Sequence, residues 1–236
     1  MSSGYQQSEY LEYSDPFAAL AKADERSAFI AKTYMNLAAA IFGLVILETV
    51  LFHIPGIEQL AELMLGSWIV VLLLFMGVSW VANSWAHGTT DIKIQYVGLW
   101  LYVVAWAFLL LPVLFLAAAN CPDVIVLAAG TTLALFGLLT GVVFFTRHDF
   151  SFLRPFLLFA GIAAFGLIIV SLLFGFQLWP IFAYAMVAFA CCYILYDTSN
   201  IMHHYRTSQH AAAALALFAS VALLFWYILQ IFMRRD

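Results

Sequence analysis

Seven stretches of mainly apolar residues divide this chain, and that repetition constrains it more than any single motif. They run over approximately 33–53, 63–86, 94–118, 124–146, 152–175, 179–201 and 211–232. About 20 such residues span the ~30 Å hydrocarbon core of a bilayer as a helix. In lipid the backbone N–H and C=O groups must be paired within the segment, so these runs are helices. The alternation of a transmembrane barrel strand is absent. The expected fold is therefore an all-α membrane bundle of seven helices over 33–236, behind a polar tail, 1–32. Composition agrees: 66% of residues are hydrophobic and 9% charged, where a soluble domain has roughly half and about a quarter. Eight of the 22 charged side chains fall in the first 32 positions, and those that remain cannot cover a water-facing surface.

Other classes fall away on the same grounds. Three cysteines, two of them adjacent at Cys191 and Cys192, make neither a disulfide framework nor a CxxC metal site. Nine scattered Lys and Arg leave no footprint for nucleic acid. The first residues lack the basic region and short apolar run of a cleaved signal peptide. There is no nucleophile elbow, no Walker loop and no pair of carboxylates within the spans, so nothing points to an enzyme or calls for a cofactor.

Lys and Arg near the membrane set the expected orientation. With the N-terminus cytoplasmic, seven of them lie inside and only Arg234 and Arg235 outside, giving an N-in, C-out protein. Pro180 suits the first turn of the sixth span, and Pro112 is expected to kink the third. The fourth span carries Gly130, Ala134, Gly137 and Gly141. Their expected use is close packing inside the bundle, with a dimer face as the alternative.

Acids inside spans cost about 2.5–3.5 kcal/mol at mid-helix on insertion scales and mark candidate sites. Two qualify, Glu48 in the first span and Asp197 in the sixth. Glu48 reads either as a carboxyl near the outer headgroups or as part of an ion or proton path. Asp197 opens the polar run Asp197, Thr198, Ser199 and Asn200, ~26 Å of helix rise from Pro180. It serves either to cap a polar helix end or, if the seventh span starts near Ala211, to meet Ser220 and sense protons or ions. Glu48 and Asp197 are expected near opposite membrane faces. His203, His204 and His210 lack zinc-site spacing and read as a solvated loop able to tune Asp197 by titration.

Three segments carry a resemblance: FIAKTYMNLAAAIFGL entering the first span, FFTRHDFSFLRPFLL between the fourth and fifth, and LYDTSNIMHH closing the sixth. With ALALFASVALLFWYILQIF as the seventh span, the chain resembles the Bax inhibitor-1 family, and within it the bacterial YccA-like branch. The resemblance implies a bundle whose seventh helix is central. It also implies two functions. In the calcium-leak branch, an acid in helix six pairs with one in helix seven; here Asp197 matches the first and Ser220 replaces the second, which argues against a pH-gated calcium leak. The YccA-like branch resembles modulators and slow substrates of FtsH, the ATP-dependent protease of the bacterial inner membrane. That implies quality control, with the tail as initiation site and its aromatics Tyr5, Tyr10, Tyr13 and Phe17 as candidate partner-binding positions. The partners expected are the lipid bilayer and FtsH, with Ca2+ or H+ in the channel reading, and no nucleic acid.

Overall fold

The computed structural model describes residues 15–88, 91–175 and 180–234. Among them the chain forms α1 (Ala23–Phe52), α2 (Ile57–Gly66), α3 (Trp68–Gly88), α4 (Ile92–Asn120), α5 (Pro122–Thr146), α6 (Leu153–Phe174), α7 (Pro180–His203) and α8 (His210–Met233). All but the short α2 are long and apolar enough to cross a membrane, giving seven candidate spans. Several of the hydroxyls they carry are satisfied within their own helices. Thr33 Oγ1 donates to the Phe29 carbonyl at 3.0 Å, Thr131 to Leu127 at 2.8 Å and Thr132 to Ala128 at 2.7 Å.

Two helices differ from the expected spans. α1 begins ten residues early, at Ala23, taking in the end of the polar stretch. Asp24 and Glu25 sit in its first turn, where the helix dipole favours negative charge, and Phe29 is already buried against the bundle. The second apolar run breaks at Ser67, so its first residues belong to α2. The sequence of α2, IEQLAELMLG, buries only Ile57 and Ala61, one turn apart, and turns its acids outward. α4 continues through Pro112. Asp91 caps it by accepting from the Lys93 amide at 2.9 Å.

α8 is the core. In its most apolar stretch 72% of the residues are buried, against 6% in α6. It packs on α1, α3, α4, α5 and α7, while α6 leans on α7. A cavity of about 430 Å3, lined by Phe165 and Ile168 of α6 and by Trp226 and Tyr227 of α8, separates those two helices. Small side chains admit the neighbours: Ala211, Ala212, Ala213 and Ala214 are all fully buried in the first turn of α8. Close approach of this kind is what drives helix association where lipid is as apolar as leucine.

The glycines of α5 are not used for such packing. A Cβ added at Gly130, Gly137 or Gly141 would meet nothing within 4 Å. α5 turns a different face inward, through Val124, Ala128, Thr132 and Val143. The tight crossing lies instead between α3 and α4, where a Cβ on Gly98 would come within 2.6 Å of the Ala82 carbonyl oxygen and 2.9 Å of the Ala86 nitrogen. Both are backbone atoms of a helix and cannot step aside. Gly98→Ala should therefore destabilise the protein by about 1–3 kcal/mol in a denaturant titration in detergent. Gly137→Ala should stay within about 0.5 kcal/mol of the parent.

Candidate functional site

At one end of the bundle the two most recognisable segments of the sequence meet. α7 ends in YDTSNIMH, and its last two turns bury Asp197, Thr198 and Ser199. The α5–α6 loop, RHDFS, is fastened beneath them. Ser199 Oγ accepts from the Phe150 amide at 2.9 Å. Asp149 accepts from the Ser151 amide at 2.9 Å and from the Ser151 hydroxyl. His204 Nε2 lies 2.9 Å from Ser151 Oγ and 3.3 Å from Asp149 Oδ2. The loop leaves α5 through Arg147 in the left-handed conformation (φ 51°), which ends the helix and turns the chain toward α7.

A second fastening closes the same end. The α7–α8 loop holds Asp15: Ser208 donates from its amide at 3.0 Å and from its hydroxyl at 2.7 Å, and Thr207 Oγ1 donates at 3.3 Å. The Ala18 amide donates to the Tyr205 carbonyl at 2.8 Å, and the Arg206 guanidinium stands 5.0 Å above the Phe17 ring. Phe17, placed by the sequence among tail aromatics open to a partner, is thus engaged by the bundle, although 39% of it remains exposed. Tyr5, Tyr10 and Tyr13 lie outside the described residues.

Between these fastenings Ser220 of α8 donates its hydroxyl to Asp197 Oδ2. Asp197 is 7% exposed and Ser220 is 4% exposed. The two touch because α7 runs on to His203 and α8 starts at His210, which sets them at one depth. The histidines are occupied elsewhere. His203 Nδ1 donates to the Ser199 carbonyl at 2.9 Å, His204 joins Asp149, and His210 Nδ1 accepts from Asn36 Nδ2 at 3.2 Å. Among the described residues none of the three is hydrogen-bonded to Asp197.

Glu48 borders a cavity to which α8 contributes Phe218, Val221, Ala222 and Phe225, while Ser220 of the same helix turns to Asp197. Among the described residues the two acids share no hydrogen bond. Sequence reading missed the role of Asp15, Asp149 and His204; the signal on offer was a single Asp and Ser in RHDFS and a Thr–Ser pair in the α7–α8 loop.

The Asp149 cluster gives a pH signature. The Ser151 hydroxyl above all, with the Ser151 amide and His204, holds the Asp149 carboxyl down at about 2 from an ordinary 3.8. A carboxyl lowered by folding stabilises fully above its unfolded value, about 4, and loses that contribution as the pH falls toward its folded value. Because Asp149 is half exposed, solvent screening keeps the effect below about 1 kcal/mol. Asp149→Asn should flatten the acid limb of the melting temperature across that window and leave the neutral region little changed.

The comparisons with known proteins match this architecture. A family model described as "Inhibitor of apoptosis-promoting Bax1" covers residues 26–236. Bax inhibitor 1 of Schizosaccharomyces pombe is 28% identical over 213 residues, 87% of this chain and 76% of its own length. Protein LIFEGUARD 4 of Arabidopsis thaliana is 26% identical, over 89% of this chain and 86% of its own. An uncharacterized protein of Pseudomonas aeruginosa is 29% identical, over 91% of this chain and 93% of its own. Seven apolar spans, the last of them buried among the others, are matched almost end to end by that model and make this chain a member of the Bax inhibitor-1 family.

Proposed function

We propose that this membrane protein restrains FtsH, the ATP-dependent protease of the bacterial inner membrane, as a slow substrate in membrane quality control, with its N-terminus cytoplasmic. The observation that carries the reading is the clasp between residues 15–18 and the α7–α8 loop. A protease that grips the N-terminus pulls on Asp15 first. The load passes through Ser208 into the loop that begins α8, the most buried helix of the bundle. Extraction then has to unpack the core before it gains any length of chain. In this reading the protease takes hold ahead of the clasp, in the stretch that carries Tyr5, Tyr10 and Tyr13. The resemblance to the YccA-like branch supplies the identity of the protease.

Two variants separate grip from resistance. Deleting residues 2–14 removes the handle and keeps the clasp; turnover of a reporter substrate by FtsH should return to the rate without the protein. Asp15→Ala keeps the handle and weakens the clasp; the variant should still be captured but degraded faster than the parent. A deletion variant that restrains the protease as well as the full chain overturns the reading.

One observation favours a second reading, a proton-responsive cation leak. Asp197 is an acid buried in a membrane helix with a hydroxyl as its hydrogen-bond partner, a group able to take up a proton. Calcium favours six to eight oxygen ligands, several of them carboxylates, and Asp197 with Ser220 falls far short. Vesicles loaded with a calcium dye should accordingly show no flux above empty vesicles at any pH. A pH-dependent flux lost in Asp197→Asn would put this reading first.

A further inference from the structure

α1 and α5 approach each other near the clasped end, where Tyr34 packs against Phe136 and Phe144. Farther along they part, and a cavity of about 480 Å3 opens between them. Its walls are apolar: Leu44 and Phe52 from α1, Leu114 from α4, Ile125 from α5, Phe218 and Phe225 from α8. Val45 and Leu133 at its margin are exposed on the side of the bundle, so the cavity opens laterally into lipid. That size falls in the range of about 300–1,000 Å3 typical of small-molecule sites.

One acid interrupts the apolar wall. Glu48 is 8% exposed, and neither carboxyl oxygen has a hydrogen-bond partner among the described residues. Asp197, the other acid within a span, has Ser220. Native interiors leave few buried polar groups unpaired, and each such group asks for a reason. The nearby polar side chains do not answer it. Thr49 Oγ1 donates to the Val45 carbonyl at 2.7 Å, Thr132 to Ala128 at 2.7 Å, and His53 at the rim donates Nδ1 to the Thr49 carbonyl at 2.7 Å. A divalent cation would find one carboxylate and two threonine hydroxyls, too few for the oxygen shell it needs.

The cavity combines a carboxylate that lacks a counter-ion with apolar and aromatic walls. The complement is a single positive charge carried on an apolar body. An ammonium N–H donates to carboxylate oxygens in strong, charge-assisted hydrogen bonds, and ring faces favour a cation beside them. We propose that this cavity binds a free lipophilic primary amine as its ammonium ion, with Glu48 as counter-ion and the alkyl body along the walls. Whichever partner brings the proton, the bound state holds one carboxylate and one ammonium. A lipid headgroup fits less well. Phosphatidylethanolamine would carry its phosphate in beside the carboxylate.

The test uses the full chain in phosphatidylcholine nanodiscs, titrated calorimetrically with n-octylamine or n-octanol against protein-free discs. The amine should bind at least about tenfold more tightly than the alcohol. Glu48→Gln keeps the shape and removes the charge; it should bring the amine down to the level of the alcohol and leave alcohol binding unchanged. Equal binding of amine and alcohol by the parent protein, or amine binding untouched by Glu48→Gln, overturns the proposal. Adding phosphatidylethanolamine to the discs should not alter amine binding. Its loss there would assign the cavity to a lipid headgroup and overturn the free-amine occupant.

Discussion

The burial of α8 is the constraint on which the rest of the bundle depends. A helix surrounded by other helices inside a membrane gains little from leaving lipid, so its place is held by close contact and by hydrogen bonds. The buried alanines of its first turn leave room for close neighbours, and the ends of α7 and α8 bring Ser220 level with Asp197. There the Ser220 hydroxyl meets the buried carboxyl.

The polar end of the bundle extends the same logic outward. The α5–α6 loop is tied to the end of α7 through Ser199, Asp149 and His204, and the N-terminal segment is tied to the α7–α8 loop through Asp15 and Arg206. Two segments distant in sequence thereby converge on the connection that leads into the central helix. A force on the N-terminus and a rearrangement of the α5–α6 loop would both be felt where α8 begins. The protease-restraint reading draws on this convergence, which needs no pocket and no catalytic group.

The far half of the bundle is built differently. There α1 and α5 stand apart, and Glu48 sits in an apolar recess with no hydrogen-bond partner among the described residues. The contrast with Asp197 is one of completion. One acid within a span is met by a hydroxyl of α8, and the other faces a cavity. α6, attached through α7 and separated from α8 by a cavity, likewise belongs to the looser side of the assembly.

Read alone, the amino-acid sequence determined seven long helices able to span, because lipid offers no partner to an unpaired backbone and each apolar run is long enough to cross. It also marked Asp197, Ser220 and Glu48, since ionisable and polar groups stand out against such a background. It misplaced the start of α1 and missed the break at Ser67, where apolar and polar residues mix. It took the packed bundle to show that Gly98 is a contact, how the RHDFS loop and the end of α7 bind each other, that Asp15 is a clasp, and that Glu48 lines a cavity. The reason is physical. Spans apolar on nearly every side carry no sign of which face turns inward, and facing is set by the fit of small against large side chains from helices far apart in the chain.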